Sequence, residues 1–96
     1  MLTTTQRKYL RALAHHLDPV VRIGQHGLTT GVAAETVRAL ASHELIKVRI
    51  DAEGDARKQL AGELAGTTQS EVAGLVGKIV MLYRRRNEDP TIELPK

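Results

Sequence analysis

Apolar residues recur along this chain in two rhythms, and the changes between them lay out its elements. Leu10, Leu13, Ala14 and Leu17 follow the spacing i, i+3, i+4, i+7, which predicts an amphipathic helix with these residues on its buried stripe. Thr3 to Thr5 offer its N-cap, and Asp18-Pro19 ends it, because proline pushes the preceding residue out of helical conformation. Val20 to Ile23 reads as a short strand. Thr29 or Thr30 caps a second helix with Ala33, Val37, Leu40 and Ala41 on its core face. The period then changes to two. Ile46, Val48 and Ile50 alternate with Leu45, Lys47 and Arg49, so Leu45 to Ile50 is a strand with one apolar and one partly basic face.

The acidic run Asp51-Ala52-Glu53-Gly54-Asp55 reads as a solvated loop, followed by a third helix with Ala56, Leu60, Leu64 and Thr67 near the helical repeat. Glu71 to Val76 and Ile79 to Arg84 are strands joined by Gly77-Lys78, a two-residue hairpin connection with glycine first. Asn87-Glu88-Asp89-Pro90 breaks the regularity, and residues 85–96 read as a C-terminal tail. The order αβαβαββ predicts one domain over residues 1–96, an α/β chain of the α+β sandwich type with helices packed on a mixed four-stranded sheet.

Composition narrows the class. Ninety-six residues suffice for one compact domain. With no cysteine there is neither a disulfide framework nor a thiolate metal site, which fits a reducing cytosol. No stretch approaches membrane-spanning length and no apolar leader opens the chain, so the expectation is a cytoplasmic monomer without membrane contact. The net charge of +3 is unevenly spread. Seven lysines and arginines stand against three acids up to Arg49, and seven against eight from Ile50 onward. A basic first half suits a polyanionic partner.

Candidate chemistry is sparse. Asp51, Glu53 and Asp55 mimic the opening of a calcium loop, but Ala56 and Gly62 occupy its sharp-turn and bidentate positions. His15 and His16 are adjacent and would diverge on a helix, while His26 and His43 stand alone. No nucleophile elbow, Walker loop or dinucleotide fingerprint is present. The expectation is a protein that is not an enzyme, with no cofactor, metal or small-molecule substrate.

What remains is Gly24-Gln25-His26-Gly27, set between an apolar extended run and a capped helix. Two glycines three apart allow a sharp turn and close approach of backbone amides to a phosphate, with the helix N-terminus adding partial positive charge. KH domains clamp nucleotide backbones with such a loop. The pattern alone is weak, because Gly74-Leu75-Val76-Gly77 matches it too, with apolar centre residues and no helix after it. With no Phe, no Trp and only Tyr9 and Tyr83, the chain cannot build a base-stacking platform. Backbone recognition is left, with Arg22, Lys8, Arg11, Lys47, Arg49 and Arg84 as candidate phosphate contacts beside the loop. Asp51 to Asp55 should then face away from the RNA.

Leu13-Ala14-His15, Pro19 to Thr29, His43 to Ile50, and Gly77-Lys78 with Leu82-Tyr83-Arg84 together resemble the YhbY family, the bacterial single-domain form of the CRM (chloroplast RNA splicing and ribosome maturation) domain. The resemblance covers nearly the whole chain. It implies an αβαβαββ fold similar to the C-terminal domain of translation initiation factor three. It also implies RNA binding, with bacterial members tied to large-subunit precursors and plant relatives to intron splicing. The family's loop falls on Gly24 to Gly27. Where members often carry lysine, serine or asparagine, this chain has Gln25-His26, so phosphate contact rests on amides, on Gln25 and on His26 when protonated. Two readings stay open: an rRNA-binding assembly factor, and a module that docks on a ribosomal or translation protein. Intron or messenger RNA is an alternative target.

Overall fold

Thr3 starts the first helix through a capping box: its hydroxyl accepts from the Gln6 amide at 3.1 Å, and the Gln6 side chain accepts from the Thr3 amide at 3.0 Å. In the computed structural model, which describes residues 1–96, seven elements follow in the expected order. They are α1 (Thr4–Ala14), β1 (Pro19–Ile23), α2 (Thr30–His43), β2 (Leu45–Ile50), α3 (Gly54–Thr68), β3 (Glu71–Val76) and β4 (Ile79–Tyr83). The strands form one sheet in the order β1-β2-β4-β3. β1 runs parallel to β2, and the other two pairings are antiparallel, so the sheet is mixed.

Helices pack on both faces of this sheet. Val21, Ile23, Ile46, Val48, Ile50, Val80 and Leu82 point to one side, where Leu40 of α2 and Ala61, Leu64 and Ala65 of α3 close over them. On the other side Leu45, Ala73, Met81 and Tyr83 meet Leu2 and the Leu10 and Ala14 stripe of α1. Each fully buried leucine contributes about 1.5–3 kcal/mol. α1 lies over β3 and the adjoining parts of β2 and β4. The end of β2 and its neighbour β1 remain open on that face.

The helices differ from expectation in phase. α1 stops at Ala14, and Leu13 and Leu17 stay exposed, because a short helix across the sheet buries only a narrow stripe. In α2 the inward residues are Val32, Thr36, Ala39 and Leu40, while Val37 and Ala41 turn outward. α3 begins at Gly54, shortening the expected loop, and buries Ala61, Leu64, Ala65 and Thr68 in place of Ala56 and Thr67. Two threonines account for part of the shift. Thr36 donates to the Val32 carbonyl at 2.8 Å and Thr68 to the Leu64 carbonyl at 2.7 Å, so each hydroxyl is satisfied within its own helix and can be buried.

The tail is docked. Glu44, at the end of α2, adopts φ 62° and is fully buried. Its carboxylate accepts from the backbone amides of Arg86 (2.9 Å), Thr91 (2.6 Å) and Ile92 (2.9 Å) and from the Thr91 hydroxyl (2.8 Å). Burial alone raises its pKa, but these four donors outweigh burial and lower it to about 2. Ile92 and Leu94 then pack beside α1, and Gln6 donates to the Pro95 carbonyl at 3.0 Å.

Candidate nucleic-acid interface

β1 delivers the chain directly into the glycine loop. The Gly27 amide donates to the Gly24 carbonyl at 3.1 Å, closing a tight turn, and Gly27 takes φ +69°, a left-handed value that disfavours side chains. Gly24, Gln25 and His26 are exposed, and no atom approaches within 4 Å of where a Cβ would stand at Gly24 or Gly27. The loop is open to a ligand. Thr29 caps α2 by accepting from the Val32 amide at 3.1 Å, and the first turn holds no acidic residue to oppose an anion.

Two backbone bonds define what surrounds the loop. The Asp51 amide donates to the Ile23 carbonyl at 2.9 Å, and the Ile50 amide donates to the Lys78 carbonyl at 2.7 Å. The loop, the end of β2 and the β3–β4 hairpin therefore share one end of the sheet. Lys78 lies roughly 10 Å from β1, two strand spacings away. Its amine approaches Glu53 at 3.9 Å. Sequence reading missed Lys78 as a candidate. The signal was available, since the hairpin must return to the end where β1 and β2 finish.

Arg22 pairs with Arg49 in the parallel register, and both project from the face opposite the buried Val21, Ile23, Val48 and Ile50. Asp51 stands between them. Its Oδ1 accepts from Arg49 Nε at 2.9 Å and its Oδ2 from Arg22 Nε. These hydrogen bonds, from Arg49 first and then Arg22, hold the Asp51 carboxyl below the usual carboxylate range. Asp51 to Asp55 were expected to face away from the RNA; Asp51 itself sits among the candidate phosphate-contacting arginines, because the last β2 residues and the residue after them share one flank of β1. Lys47, on the same face as Arg49, borders a shallow hollow with Arg11, His15, Ile79 and Met81.

Other candidates are dispersed. Arg11 lies along β3, where its guanidinium donates to the Ala73 carbonyl at 3.3 Å and its stem covers Gly74. A Cβ on Gly74 would stand 2.6 Å from Arg11 Cδ, so that glycine makes room for a side chain. Gly77, at φ +55°, makes the hairpin. The second glycine pair is thus fully occupied with folding. Lys8 is exposed one turn before Arg11 and forms no ion pair. Arg84 lies at the far end of β4, about 17 Å from the hairpin by strand length. It is tied down there: its amide donates to the Glu44 carbonyl at 2.9 Å and its guanidinium to the Thr68 carbonyl at 3.4 Å. Arg22, Lys47 and Arg49 share the open flank with the loop; Arg84 does not. No group of three or more His, Asp or Glu side chains gathers where it could hold a metal, and no helix is long and apolar enough to cross a membrane.

Comparison with known proteins places this arrangement. A Haemophilus influenzae protein named RNA-binding protein is 41% identical over 96 residues, covering 99% of this chain and 96% of that one. A Pseudomonas aeruginosa protein named probable RNA-binding protein is 44% identical over 85 residues, covering 88% of this chain and 82% of that one. The solution structure of a Staphylococcus aureus protein has a TM-score of 0.88 at 38% identity, covering 99% of this chain and 100% of that one. Residues 2–84 match the CRS1 / YhbY (CRM) domain. The chain belongs to the CRS1/YhbY (CRM) domain family.

Proposed function

We propose that this chain binds RNA as an accessory factor in large ribosomal subunit assembly, holding rRNA by its phosphates and carrying out no reaction itself. The observation that carries the reading is the convergence at one end of the sheet. An exposed glycine loop, a helix N-terminus free of acids, and the Arg22 and Arg49 guanidinium groups stand together there. Relatives named for RNA binding support the nature of the ligand; rRNA as its source is what the family resemblance read from the sequence implies. Loop amides and arginines recognise backbone and not base edges, so the shape of a folded RNA or pre-ribosomal particle would select the target.

Crosslinking and sequencing of bound RNA from cells, combined with gradient sedimentation, tests this directly. Enrichment of large-subunit rRNA and co-sedimentation with precursor particles is expected. Enrichment of intron or messenger RNA would redirect the reading to those targets. If about four phosphates are contacted, log affinity falls with log salt at a slope of about −3. A flat salt response would contradict phosphate recognition altogether. The exposed strip of Leu13, Leu17 and Val20 favours a second reading, docking on a ribosomal or translation protein. Capture of such a protein that survives ribonuclease would support it.

A further inference from the structure

Asp51 occupies a place where a carboxylate lowers the attraction for RNA on charge grounds alone. It is 20% exposed, between two arginines whose side chains are 69% and 49% exposed. An exposed ion pair of this kind is screened by solvent and adds little, so fold stability gives little reason for it. The geometry gives a better one. Both bonds to Asp51 use Nε, and neither guanidinium makes another hydrogen bond within the chain. Each guanidinium therefore keeps its four Nη–H donors, the fork that pairs in bidentate fashion with phosphate oxygens. Neighbouring strands set the two forks side by side. The Asp51 amide also holds the carbonyl of Ile23, the residue that precedes Gly24, so one residue links both forks to the loop.

We infer that Asp51 is a positioning residue for RNA: it pins Arg22 and Arg49 through Nε so that their Nη edges meet neighbouring phosphates beside the Gly24–Gly27 loop. Holding a flexible side chain in its bound geometry before association removes an ordering cost that binding would otherwise carry. The inference requires that gain to outweigh the loss from one partly neutralised, solvent-screened charge. The inference rests on the RNA-binding reading above and adds a role that acts through other residues.

The test measures affinity for purified large-subunit rRNA, across a salt series, for the wild-type chain and for Asp51→Ala, Asp51→Glu, Arg22→Lys and Arg49→Lys. Positioning predicts that Asp51→Ala weakens binding about threefold although the net charge rises by one, with an unchanged salt slope. Asp51→Glu, which retains a carboxylate, restores part of the loss. The lysine variants keep the charge and lose the fork, so each weakens binding by a similar factor. Tighter or equal binding of Asp51→Ala with a steeper slope would show that Asp51 only neutralises charge, and would overturn the inference. Lysine variants that bind like wild type would overturn it as well, whatever happens to the alanine variant. A wild-type chain that does not bind the rRNA would overturn the RNA reading itself, and this inference with it.

Discussion

Two carboxylates with lowered pKa values, Glu44 and Asp51, mark opposite ends of β2, and they have different work. Glu44 is fully buried, and its partners are three backbone amides and a hydroxyl of the C-terminal segment. Asp51 lies at an open surface, and its partners are two arginine side chains with most of their donors unused. A carboxylate saturated by buried backbone fixes the chain's path, because removing it strands donors that have no other partner. A carboxylate tied to exposed side chains fixes only where those side chains point. A lowered pKa thus reports a structural anchor at one end and, under the proposed RNA reading, a positioned pair of phosphate contacts at the other.

The comparison breaks most visibly at Glu44. Glu44→Ala leaves the amides of Arg86, Thr91 and Ile92 without their acceptor and should cost about 3 kcal/mol, partly relieved as the tail detaches into water. For a chain of this size that lowers the melting temperature by on the order of 10 °C or more, as thermal unfolding would record. The pH dependence has a definite sign. With a folded pKa of about 2 against 4.5 for the free side chain, the Glu44 contribution is complete above about pH 4.5 and fades as pH falls toward 2. Wild-type stability should drop through that window, and Glu44→Gln should flatten the drop.

The loop end should respond in binding and not in stability. Replacing Gln25 and His26 together with aspartate puts two negative charges where phosphates approach, and should weaken rRNA binding at least tenfold with the melting temperature unchanged. Unchanged binding would remove the loop from the interface. The two glycine pairs offer a smaller contrast of the same kind. Gly74→Ala forces Arg11 aside and should cost about 1–2 kcal/mol. Gly24→Ala meets nothing within 4 Å and should leave stability within about 0.5 kcal/mol.

The element order and the mixed sheet were legible in the sequence because β2 alternates cleanly, the hairpin glycine is well placed and Pro19 marks the turn into β1. Helix phase was not, because Thr36 and Thr68 are polar in type yet buried through bonds to their own helices. The loop could be read as a candidate from its flanks. Its neighbours could be read only in part, since the pairing of Arg22 with Arg49 depends on parallel register, which no local pattern encodes. Glu44 sits in the run that carries the family resemblance, but its role needs contacts more than forty residues away. The glycine pattern itself could not discriminate. Gly74 and Gly77 satisfy it for reasons of packing and turn geometry alone.

The most direct test of the loop-end interface is residue-resolved NMR of the isotope-labelled chain during titration with a short single-stranded RNA. The largest amide shifts are expected at Gly24 to Gly27, Arg22 and Arg49, with Arg84 to Arg86 little changed. Shifts confined to the Arg84–Arg86 end, or to the strip of Leu13, Leu17 and Val20, would contradict the account.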